Sequence, residues 1–168
     1  MEWPKDYTGE LVRRASIEEA IRKDDTLQEY SRNYYASSPT VFISDCVYVY
    51  EPRNANKGDP VKVPAVLFPR QRDYIEWILE RYQTSTSGPV EKSRDSGATW
   101  MAAAFAVWLW LFHPGTSVGF GSRKEELVDR KGDISSIFEK IRKIVEYLPS
   151  YLTPVGFRWS EHSNYRRL

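Results

Sequence analysis

The chain has 168 residues, enough for one domain with a proper core, and its 41% apolar and 28% charged residues are ordinary for a soluble globular protein. Residues 1–60 carry 8 Lys and Arg against 11 Asp and Glu, and residues 61–168 carry 16 against 12, a bias too mild to name nucleic acid or nucleotide as a partner. The single cysteine, Cys46, excludes an intramolecular disulfide and a cysteine-built zinc centre, and two histidines, His113 and His162, are too few for a histidine-built one.

The N-terminal "MEWPKDYTGE" is polar and acidic, unlike a signal peptide. Ser16–Ala36 is expected to form one helix, with Ser16 as its N-cap and Glu19 at capping-box spacing. "PTVFISDCVYVY" is apolar and β-branched and reads as a short helix followed by a strand, with Cys46 in the core. "EPRNANKGDPVKVP" has the Pro, Gly and Asn of an exposed loop. It marks a seam between an N-terminal helical lead-in (1–60) and a main body (61–168).

In the main body, Tyr74, Ile75, Ile78, Leu79 and Tyr82 make one apolar stripe, predicting a helix over Pro69–Gln83. "PVEKS" is a weak strand candidate, the loop "EKSRDSGATW" follows, and an apolar helix runs from about Thr99 to Phe112. The run Met101–Phe112 is 12 residues, short for a membrane span and suited to a buried helix. "HPG" stops that helix, with His113 as a stop residue, and "TSVGFGS" is a second strand candidate. "DISSIFEKIRKIVEYLP" is helical, its apolar face running from Ile134 to Leu148 and its Lys140, Arg142 and Lys143 on the wet face. "NYRRL" reads as an unstructured tail. No internal repeat or low-complexity tract is visible. The order helix, strand, loop, helix, strand, helix predicts an α/β sheet with helices packed on it.

The loop carries the chemistry. A phosphate-binding loop has the form G-x-x-x-x-G-K-[ST] and ends at a helix N-terminus, whose N–H groups face the anion. Here Gly97 and Thr99 hold the last glycine and hydroxyl positions, Ala98 stands where the lysine belongs, and Lys92 stands where the first glycine belongs. Lys92, at the strand end, has the length to curl across the loop mouth. Arg94 supplies a second cation, and the Thr99 hydroxyl is placed for Mg²⁺. A plain polar turn between a strand and a helix would use the same residue types.

The stretch "VEKSRDSGATW" resembles the variant Walker A motif of the large terminase subunit, the ATPase of tailed-phage DNA-packaging motors. In one branch of that family the lysine stands at the start of the loop, an arginine follows two residues later, and the motif ends in Gly, any residue, Ser or Thr. Lys92, Arg94, Gly97 and Thr99 match in turn. Gln71 in "VPAVLFPRQRDYI" matches the glutamine of the adenine-side motif. "FISDCVYVYEPR" and "SRKEELVDRKGDISSIFEKIRKIVEYLPSYL" are similar to the flanking segments, so the resemblance spans roughly residues 26–160.

The resemblance implies an incomplete P-loop NTPase-like core, a three-layer sheet with helices on both faces, preceded by the helical lead-in. It implies ATP and Mg²⁺ bound by Gln71, Lys92, Ser93, Arg94, Asp95, Ser96, Gly97, Ala98 and Thr99, with Thr99 on the metal and Arg94 sensing the phosphate. It makes Arg123 and Lys124 candidate contacts to double-stranded DNA. The implied partners are DNA, the portal protein and the small terminase subunit. A ring of copies is implied only for the intact parent, in the bacterial cytoplasm and transiently at the procapsid portal, with no membrane. No apolar strand ending in Asp-Glu, the Walker B element, is found; "ELVDR" has too short an apolar run. The chain therefore reads as the N-terminal part of such an ATPase, hydrolysing ATP negligibly alone. A truncated prophage remnant without nucleotide binding, or another P-loop motor such as a helicase, are the alternatives.

Overall fold

The computed structural model describes residues 6–163, so "NYRRL" lies outside the described residues. Helix α1 (Tyr7–Arg22) starts at Asp6, whose carboxylate accepts from the Gly9 N–H at 2.8 Å. Helix α2 (Asp25–Ala36) starts at Asp24, which accepts from the Thr26 and Leu27 N–H groups. The single helix expected over Ser16–Ala36 is therefore two helices. Ser16 is not a cap: it sits inside α1 and its hydroxyl donates to the Val12 carbonyl. The capping-box spacing also occurs within helices, and at residue 24 a carboxylate facing two free N–H groups restarts the chain.

Helix α3 (Pro39–Cys46) is capped by Ser38 and carries Pro at its first turn, where no N–H is needed. Strand β1 (Tyr48–Tyr50) follows, then a 3-10 turn (Pro52–Lys57), then strand β2 (Lys62–Pro64). The strands pair antiparallel with Val49 opposite Val63, and the Ala65 N–H extends the ladder to the Val47 carbonyl. This hairpin spans residue 60, the expected seam.

Helix α4 (Pro69–Thr84) and helix α5 (Ala98–Phe112) form where an apolar stripe and a continuous apolar run, respectively, predict them. Helix α6 (Glu125–Val128) is one turn, α7 is Ile137–Glu146, and α8 is Trp159–His162. Ile134 lies outside α7 because the Ser136 hydroxyl, itself fully buried, caps that helix by accepting from the Glu139 N–H.

The core is built round α5, which packs on α7, α4 and α3. Ala103, Ala104, Phe105, Val107 and Trp108 are buried against Phe42, Ile43, Ile75 and Ile144. The Trp108 indole donates to the Tyr35 carbonyl at 2.9 Å, satisfying its one polar group in the core. Cys46 is a core residue; burial pushes its thiol up to about 12.

The chain is α/β in the broad sense: helix-rich, with one small two-stranded sheet. The strands expected at "PVEKS" and "TSVGFGS" do not form. Among the described residues the backbones of 87–95 and 117–123 make no hydrogen bonds to one another or to a third segment. Pro89 brings no donor, Gly119 and Gly121 bring no side chain to pack, and β-branched residues alone do not make a strand without a neighbour. The expected three-layer sheet is thus replaced, among the described residues, by helices around α5. No helix of the described residues is long and apolar enough to cross a membrane.

Of the three basic residues expected on the wet face of α7, Lys143 lies at the surface, and Arg142 and Lys140 are held against the protein. Arg142 makes two 2.7 Å bonds to the carboxylate of buried Asp129 and a third contact to Glu139. Lys143 pairs with Glu146. Half-buried Lys140 donates to the carbonyls of Ile134, Ser135 and Ser136.

Candidate functional site

Between the hairpin, the start of α4 and the start of α5 lies an open cleft of about 1010 Å³. The loop before α5 forms one wall. Its turn is made by two left-handed residues, Asp95 (φ 57°) and Gly97 (φ 78°), a conformation that aspartate tolerates and glycine adopts freely. Gly97 is the N-cap of α5, and no side chain caps this end. The first intrahelical bond runs from the Met101 N–H to the Gly97 carbonyl, so the N–H groups of residues 98–100 have no intrahelical acceptor. A 15-residue helix therefore presents the positive end of its dipole at the cleft wall.

Of the residues the sequence singles out, Gln71, Lys92, Arg94, Asp95, Ser96, Gly97, Ala98 and Thr99 line this cleft together. Ser93 is exposed and is not part of the lining, and neither are Arg123 and Lys124, which are exposed ahead of α6. Lys124 pairs loosely with Glu126 at 3.7 Å. Among the described residues Lys92 and Arg94 make no ion pair and the Thr99 hydroxyl makes no hydrogen bond. The Ser96 hydroxyl is buried without a partner among them. The loop thus holds two uncommitted cations, the uncommitted Thr99 hydroxyl and a row of N–H donors, a set suited to a multiply charged oxyanion.

Gln71 holds the loop from behind. Its side-chain oxygen accepts from the Phe68 N–H at 3.0 Å and its amide nitrogen donates to the Ser96 carbonyl at 3.0 Å.

The opposite wall adds cations that the sequence pattern does not reveal. Lys62 comes from β2, its ammonium 4.3 Å from the Tyr48 ring centre, and burial lowers its proton affinity. Lys140 reaches the cleft from α7, and burial lowers its affinity too. Arg53 lines the rim, bound to both oxygens of Glu51. Only the hairpin pairing and the α5–α7 contact bring these three to the loop, so no local spacing signals them.

No protein-family profile, curated protein or solved structure matches this chain.

Proposed function

We propose that the cleft binds the triphosphate of ATP with Mg²⁺, and that the chain is the ATP-binding portion of a DNA-packaging motor of the large-terminase kind with a P-loop-like site. One observation carries the nucleotide reading: Lys92, Arg94 and Thr99, all uncommitted, meet the uncapped N-terminus of α5 in a single cleft. The motor reading rests on the sequence resemblance.

In this reading the residue 98–100 N–H groups and Lys92 hold the β- and γ-phosphates, Arg94 neutralises a further phosphate oxygen, and the Thr99 hydroxyl is a ligand to Mg²⁺. The bound metal supplies charge neutralisation along the phosphate chain. In the intact motor, ATP hydrolysis would drive double-stranded DNA into a procapsid, with the portal protein and the small terminase subunit as partners and copies assembled as a ring. Arg123 and Lys124, exposed and basic, are candidates for sequence-independent contact with the DNA backbone. Hydrolysis by this chain alone is expected to be negligible. Asp129, the aspartate of "ELVDR", is buried against Arg142 and does not line the cleft.

A second reading, a remnant with no nucleotide binding, is favoured by one observation: among the described residues no strand flanks the loop, which leaves it fastened by α5 and Gln71. Calorimetry with a non-hydrolysable Mg·ATP analogue separates the two. Binding that Lys92→Ala weakens by about tenfold or more supports the first, since a charge-assisted bond is worth about 1.5–3 kcal/mol. No heat of binding from a chain that circular dichroism shows to be folded leaves the second.

A further inference from the structure

We infer that Gln71 is a positioning residue for the phosphate loop, not a reader of the nucleotide base; the inference rests on the nucleotide reading of the cleft. The family resemblance assigns this glutamine to the adenine side, yet both ends of its amide are engaged within the chain. The oxygen accepts from the Phe68 N–H and the nitrogen donates to the Ser96 carbonyl, each at 3.0 Å. Turning the amide over would set carbonyl against carbonyl and N–H against N–H, so the two partners fix its orientation.

The contact falls at the part of the loop that most needs support. Ser96 lies between the two left-handed residues, Asp95 and Gly97, whose conformation aims the loop's N–H groups. Gly97 also meets Gln71: a Cβ built there would lie 2.6 Å from its Nε2. Gln71 therefore sits flush against the turn, spanning 25 residues of sequence and joining the first turn of α4 to the start of α5. It fastens the turn of the loop to the first turn of α4, behind the N–H groups that would face the phosphates. A base reader needs an amide free to turn toward the base; this one is held at both ends by backbone partners, so its remaining N–H and oxygen lone pair keep the directions those two bonds impose.

The test uses the full chain and three probes: a Mg·ATP analogue, the matching Mg·GTP analogue, and Mg·tripolyphosphate, which has no base. Gln71→Ala removes the tether; Gln71→Met removes it while keeping the side chain's bulk, in case the smaller residue disturbs packing. Both variants should weaken all three probes by the same factor, about five- to tenfold for the lost bond to Ser96, the one of the two that reaches the loop. In the chain without ligand, amide hydrogen exchange at 101 and 102, the first amides of α5 bonded within the helix, should speed up by a similar factor, with the core amides 103–111 unchanged. Weaker binding of the ATP analogue alone, with tripolyphosphate unaffected, would overturn the inference in favour of base reading. If the wild-type chain binds none of the probes, the nucleotide reading falls, and exchange decides the positioning role separately: unchanged exchange at 101 and 102 overturns it.

Discussion

At Gly97 two constraints meet: φ is +78°, and a Cβ would press on Nε2 of Gln71 at 2.6 Å. An alanine in the left-handed region costs about 1–2 kcal/mol. It would also push the Gln71 amide off the Ser96 carbonyl, losing about 1 kcal/mol more. Gly97→Ala is therefore expected to lower stability by about 2–3 kcal/mol, read as a shift of the urea midpoint at constant slope. In a Gln71→Ala background the second component is already gone, so the same substitution should cost about 1 kcal/mol less. Full additivity of the two changes would show that Gln71 does not rest on Gly97. The glycine is legible in the sequence as the last glycine of the loop motif. Its contact with Gln71 is not, because the residues are brought together by the packing of α4 against α5 and by no local pattern.

Helix α1 is fastened to the α3–β1 corner by a small set of charges. Arg14 is buried and donates to the Ser44 and Val47 carbonyls, both at 2.6 Å, satisfying acceptors at the end of α3. Glu10 binds Arg14 and Arg13, and Arg13 reaches Asp45 at 2.7 Å. Burial works to raise the Glu10 carboxyl, but the hydrogen bonds and charges of the two arginines outweigh it and hold it below 4.5. A lowered carboxyl contributes stability that is fully present above its unfolded-state value and is lost as pH falls through the folded-state value. Thermal melts should therefore lose stability as pH drops below about 4.5, and Glu10→Gln should be less stable at pH 7 but show a flatter profile below that point. Parallel profiles for the two proteins would remove Glu10 from the account. The elements themselves were legible to different degrees. Helix α4 follows from an apolar stripe that starts after Pro69 and helix α5 from a continuous apolar run that starts after Gly97, signals that act locally. The break at Asp24 was hidden by a helical pattern that continues across it, with Ser16 and Glu19 mimicking a start. Helix periodicity places Lys140 on the wet face, yet its ammonium binds carbonyls of the turn before α7, a satisfaction that periodicity does not display.

The whole molecule is a helical shell round α5, with the hairpin closing one side of the cleft. This is why the strand signals at Val90 and Val118 misled: a short β-branched run becomes a strand only beside another strand, and the neighbours of α5 here are α3, α4 and α7. The segments on either side of α5 consequently have solvated backbones. Val90 and Val118 are 44% and 43% exposed, and residues 87–95 and 117–123 make no backbone bonds among the described residues. A loop mounted on a sheet would be preceded by a strand whose amides open only with the fold; this loop is mounted on a helix and one glutamine. Amide exchange measured residue by residue tells these apart. The amides of 87–95 and 117–123 should exchange at close to the free-peptide rate, while those of 103–111 within α5 exchange only through global unfolding. A Mg·ATP analogue should protect 96–100 and leave 87–91 as fast as before, because ligand contact orders the turn without supplying a strand partner. Slow exchange at Val90 and Glu91 in the free chain would mean that these residues are paired in a sheet in solution, and the helical mounting of the loop would have to be abandoned.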